Sequence, residues 1–166
     1  MRAMRMLRLV VHGLTREPVV VLGETDGERC VPVFLRRPQA DAIALGPRHS
    51  SGPPLPQDVL PTVLRGLGHT LDGVEVTALR DGVFSAVLVC DRGTRIAVLP
   101  SDALAVAVRE GLPIGMAEEI LDVVGQPTAE LFPDGGDSPP DDQVRAMRAF
   151  LDGVEPDDFA DPPRPG

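Results

Sequence analysis

Apolar and polar residues alternate along the first third of the chain. MLRLVVHGL (residues 6–14), PVVVLG (18–23) and RCVPVFL (29–35) read as three strands, and ETDG (24–27) supplies a turn between the last two. The period then changes. PQADAIALG opens with Pro38 and stops at Gly46, the order expected of a short helix with Pro in its first turn and Gly past its end. After the loop PRHSSGPPLP, the stretch QDVLPTVLRGLG (57–68) reads as a second helix, with Pro61 taken to fall in its first turn. GVEVTAL (73–79), VFSAVLVC (83–90) and TRIAVL (94–99), separated by RDG and DRG, predict a three-stranded meander. PSDALAVAVREG offers Ser101 as a helix cap and Gly111 as a stop. Its alternation also suits a strand; the caps and alanines decide for a helix.

LPIGM (112–116) adds a short strand, and AEEILDVVG (117–125) a further helix. From Gln126 the composition turns to Pro, Gly and Asp, as in a linker. Beyond it, DDQVRAMRAFLDGV (141–154) brings Val144, Met147 and Leu151 to helical spacing, predicting a small amphipathic helix that docks on the body. The expected class is α+β, a mixed and mostly antiparallel sheet with meander hairpins and several packed helices. The body is residues 1–125; 126–166 form an acidic linker and tail. No GxGxxG follows the first strand, which argues against a dinucleotide-binding fold.

Charge sharpens this division. The chain has 166 residues and a formal charge of −9, but residues 126–166 hold ten acids and three Arg, so that −7 belongs to the tail and −2 to the body. The 16 basic residues are all Arg, which excludes Schiff-base and P-loop lysine chemistry. With five Phe and neither Trp nor Tyr, a base-stacking platform is excluded as well. Arg8 and His12 interrupt the first apolar run, so it cannot serve as a signal sequence, and no stretch reaches the apolar length of a membrane span. Cys30 and Cys90 lack CxxC spacing and read as buried free thiols. The expectation is a cytoplasmic, soluble protein.

The three histidines, His12, His49 and His69, show no metal-ligand spacing, and Ser51 and Ser101 lack a GxSxG setting. The sharper feature is a pair of acids, Asp58 and Asp102, each at the mouth of a predicted helix. Two readings stand side by side. Such carboxylates can hold Mg²⁺ or Mn²⁺ for phosphoryl chemistry, with Arg109, seven residues past Asp102 and on the same helix face, as a phosphate ligand. Equally, an Asp in a helix's first turn stabilises the helix dipole by about 0.3–1 kcal/mol and needs no further role.

VPVFLRRPQADAIAL (31–45), PPLPQDVL (53–60), DGVFSAVL (81–88), PSDALAVAVREGLPI (100–114) and the acidic FLDGVEPDDF (150–159) follow one another in an order that resembles the bifunctional nuclease family, proteins described as acting on both DNA and RNA. The resemblance runs over essentially the whole chain. It implies metal-dependent phosphodiester hydrolysis, with Asp58 and Asp102 on Mg²⁺ or Mn²⁺, Ser101 orienting water or metal, and Arg109 on phosphate. It also implies self-association. Four positions depart from the family pattern: Gln39 replaces Glu, Gln57 replaces His, Ala97 replaces Asp and Leu99 replaces Arg. Each removes a charged or titratable group from where an active site is expected. A second reading follows, a catalytically weak or inactive binding or regulatory module of the same fold. Its acidic tail would dock a basic partner or occupy the protein's own cleft.

Overall fold

The computed structural model describes residues 1–11, 16–49 and 54–131. Three strands come first, β1 (Arg2–Val11), β2 (Pro18–Glu24) and β3 (Arg29–Phe34), followed by helices α1 (Arg37–Ala44) and α2 (Pro56–Gly66). The meander β4 (Leu71–Arg80), β5 (Val83–Cys90) and β6 (Arg95–Val98) leads into α3 (Pro100–Glu110). Then come β7 (Ile114–Met116), α4 (Glu118–Val124), β8 (Gln126–Pro127) and α5 (Thr128–Leu131). The fold is α+β. Eight strands form one mixed sheet in the order β6-β5-β4-β7-β1-β2-β3-β8. The short β7 runs parallel to β4 and antiparallel to β1, and so joins two antiparallel meanders into one sheet.

The sheet has two differently covered faces. Val20, Leu22, Val31, Val33, Val74, Val76 and Leu88 point to the side carrying α1, α3 and α4, where the main core lies. α3 is buried nearly all round: Ala103, Leu104, Ala105, Val106 and Ala107 are at most 3% exposed. Its alternating Ala, Leu and Val therefore reflect a helix enclosed on every side, which carries little one-faced periodicity. β2 is buried along its whole length, which accounts for its unbroken PVVVL run.

Local chemistry sets the boundaries. Asp81 (φ 51°) and Gly82 (φ 73°) make a two-residue turn of the kind Asp-Gly favours, which keeps Arg80 in β4. Gly111 ends α3 in the left-handed conformation (φ 67°). An added methyl there meets no atom, so the cost of Gly111→Ala is conformational, about 1 kcal/mol, measurable by urea unfolding.

Three local expectations are corrected. Ser101 does not cap α3: Leu99 holds the cap position without a side-chain bond, Pro100 begins the helix, and Ser101 lies inside it at 6% exposure. α2 starts at Pro56, so Pro61 lies beyond the first turn and has no N–H for the carbonyl of Gln57. Gln126–Leu131 are not linker. β8 pairs with β3, the Thr128 amide and hydroxyl both donate to the carbonyl of Glu28, and Leu131 is buried beside Val21 and Cys30. The amphipathic stretch 141–154 lies outside the described residues. Both cysteines are buried free thiols, as expected. No helix among the described residues is long and apolar enough to cross a membrane.

Candidate functional site

The Pro-rich approach to α2 places Asp58 in the helix's first turn, where its Oδ2 accepts the N–H of Leu55 at 2.8 Å. The same carboxylate meets a guanidinium from the last turn of α3. Arg109 Nε donates to Asp58 Oδ1 and Nη2 to Oδ2, both at 3.0 Å, a two-pronged pair. Arg109 Nη1 also donates to the carbonyl of Gly46 at 3.0 Å, and its own carbonyl accepts the N–H of Arg48 at 2.8 Å. The end of α1, the start of α2 and the end of α3 are thereby fastened at one point. Asp58 is 1% exposed and Arg109 is 7% exposed. The bonds from Arg109 hold the Asp58 carboxyl below its ordinary pKa, against the opposing effect of burial, and the same pair raises the pKa of Arg109.

Asp102 lies at the other end of α3. Seven residues along a helix separate it from Arg109, about 10 Å at 1.5 Å per residue. Its partner is Gln39, from the first turn of α1, whose Nε2 donates to Asp102 Oδ1 at 2.6 Å. The other atom of that amide, Gln39 Oε1, is buried with no hydrogen-bond partner. Such an acceptor costs free energy unless something donates to it or binds it.

The sequence-derived residues thus divide into two places, Asp58 with Arg109 and Asp102 with Gln39. Ser101 is buried beside the latter. Gln57 is half-buried on α2, whereas Ala97 on β6 and Leu99 at the mouth of α3 are exposed, Leu99 by 46%. Among the described residues, no group of three His, Cys, Asp or Glu side chains is placed to hold a metal ion.

A cleft of about 440 Å³, lined by Arg48, Arg65, Arg109 and Glu110, opens beside the buried pair. Arg65 donates to Glu110 Oε2 at 2.7 Å. No pattern singles out Arg48 or Arg65, the first a lone base in a loop and the second a lone base in the last turn of α2. His49 is exposed, and His12 and Ser51 lie outside the described residues. His69 Nδ1 lies 3.0 Å from Asp91 Oδ1, tying the α2–β4 turn to the turn after β5.

A family model described as the bifunctional nuclease domain matches residues 20–129, a span that includes Gln39, Asp58, Ser101, Asp102 and Arg109. The chain is also 34% identical, over 165 residues, to uncharacterized proteins of two Mycobacterium tuberculosis strains, CDC 1551 / Oshkosh and ATCC 25618 / H37Rv. Those alignments cover 96% of this chain and 98% of each relative.

Proposed function

Because the chain belongs to the bifunctional nuclease domain family, we propose that it acts on the sugar–phosphate backbone of DNA and RNA, with a hydrolytic centre at Asp102 that the neutral Gln39 attenuates. The observation that carries this reading is the unpartnered Gln39 Oε1 beside the Asp102 carboxylate. Hard divalent cations take oxygen ligands, and Mg²⁺ often takes only one or two carboxylates and fills its shell with water. A turn of the Gln39 amide puts its oxygen and that of Asp102 side by side, a donor set that fits Mg²⁺ or Mn²⁺. Bound there, the cation would supply Lewis-acid polarisation of a phosphodiester.

Asp58 does not fit the same role. Arg109 and the Leu55 N–H engage both its oxygens, and a cation there would leave a buried guanidinium unpaired. Asp58 and Arg109 are instead positioning residues, which hold α2 against α3. Arg48 and Arg65, on the cleft, are the groups offered to phosphate, and planar guanidinium suits that contact. Ser101, 6% exposed, packs inside the helix layer and is assigned no role on cation or water in this reading.

The test is cleavage of single- and double-stranded DNA and RNA with Mg²⁺, with Mn²⁺ and with EDTA. Wild-type protein is expected to cleave slowly and only with metal, and Asp102→Ala to abolish cleavage. Gln39→Glu, which restores a carboxylate, is expected to raise the rate by about tenfold or more and to make the melting temperature rise with added Mg²⁺. Cleavage that survives Asp102→Ala would place the centre elsewhere. Absence of cleavage in both wild type and Gln39→Glu, with no metal-dependent change in melting, would leave the second reading, a binding module of the same fold. The departures at Gln57, Ala97 and Leu99 favour that second reading, since three further charged or titratable groups of the family pattern are missing.

A further inference from the structure

The face of β1–β3 turned away from the helices is closed, although the described residues cover only part of it. Val19, Val21 and Cys30 are fully buried there, and Val10 nearly so. The described side chains packed with them are Phe34, Leu7 and Leu131. α5, which brings Leu131, is a single turn of four residues, about 6 Å long, against about 23 Å for the seven residues of β2. Gly23 belongs to this face as well, since an added methyl there would run into Leu7.

We propose that this face is the docking surface for the chain's own segment 141–154. Three observations select that occupant. α5 already ends on the patch, and the nine residues between Leu131 and Asp141 span up to about 30 Å when extended. Val144, Met147, Leu151 and Val154 recur at spacings of three and four, the stripe by which a helix lies on a sheet. Fourteen residues of helix measure about 21 Å, close to the length of β2. Charge does not oppose it: Arg8, in register with Val21, and Arg5, in register with Gly23, flank the patch, and the segment carries Asp141, Asp142 and Asp152 against Arg145 and Arg148. The acidic tail is thus held on the side of the sheet opposite Asp102 and the arginine cleft, so it does not compete with nucleic acid there.

Cys30 reports on this arrangement, and Cys90, buried on β5, serves as the control. In the full-length chain carrying Met147→Asp and Leu151→Asp, an aromatic disulfide reagent under native conditions is expected to modify Cys30 at least about tenfold faster than in wild type, with Cys90 unchanged. An unchanged Cys30 rate overturns the proposal. Met147→Cys, in a Cys30→Ala and Cys90→Ala background, is a second probe that does not place a charge in the contact. Its thiol is expected to react at least about tenfold more slowly than that of the matching Ala149→Cys variant, which lies on the opposite face of the helix. Equal rates at the two positions overturn the proposal even where the doubly charged variant unfolds as a whole.

Discussion

Arg109→Leu is expected to destabilise the fold by about 3–5 kcal/mol, the largest effect of any single polar substitution considered for this chain. The reason is what remains behind. Asp58 stays 1% exposed, and of its partners only the Leu55 N–H is left to it. The Gly46 carbonyl loses its donor in the same step, so the end of α1 and the start of α2 both lose their attachment to α3. Urea unfolding at pH 7 measures the loss. Asp58→Asn combined with Arg109→Leu is expected to recover part of it, because the double variant buries no unpaired charge. If the two single losses simply add in the double variant, the pair is not coupled and the assignment of Asp58 and Arg109 as positioning residues fails.

The pH dependence of that loss has a definite sign. Asp58 has a folded pKa below its ordinary value of 3.8, set first by the bonds from Arg109. A depressed carboxyl pKa contributes stability that is fully present above the unfolded value and disappears as pH falls through the folded one. In Arg109→Leu burial without the guanidinium raises the Asp58 pKa instead, so the stability gap between the two proteins is expected to be greatest at high pH and to narrow as pH falls, starting above the ordinary carboxyl range and continuing as the wild-type pair is protonated in acid.

That pair also shows where reading from sequence ends. Asp58 and Arg109 were each visible as a charge at a helix terminus of the favourable sign, an acid at a start and a base at an end. Each feature is complete by itself, so neither points to the other across 51 residues of chain. The β4–β5 hairpin was legible because its apolar and polar residues alternate and Asp-Gly marks the turn, and β2 and β3 because short apolar runs are bounded by turn residues. The place of β7 was not, since three residues cannot announce a parallel partner 40 positions earlier. Gln126–Leu131 were obscured by composition: Pro, Gly and Asp dominate the stretch that follows, while the local signal is one Thr and one Leu. Gln39 was picked out only as a departure from a family pattern. Its contact with Asp102 depends on how α1 lies across α3, which the pattern of either helix does not contain.

Glu24→Gln is expected to cost about 2 kcal/mol at pH 7, second to the loss of Arg109. Glu24 ends β2 at 4% exposure and accepts from Arg2 Nε, Arg29 Nε and Arg29 Nη2, each at 3.0 Å. Arg29 continues to Asp122 at 2.9 Å and to Glu118 at 3.5 Å, so one carboxylate joins the start of β1, the end of β2, the start of β3, and α4. Gly27 completes the cradle: a side chain there would collide with the Glu24 carboxylate. Both arginines are partly exposed, and solvent screening places the expected cost below that at Asp58. The bonds from Arg29, more than those from Arg2, lower the Glu24 pKa from 4.5 to about 2, against the effect of burial. The contribution is thus whole above pH 4.5 and is lost as pH falls toward about 2. Urea titrations of wild type and Glu24→Gln across that window are expected to converge at its acid end. Curves that stay equally far apart at pH 2.5 and pH 7, values chosen at roughly the two ends of the titration, would mean that the lost stability comes from packing of the side chain and not from its charge.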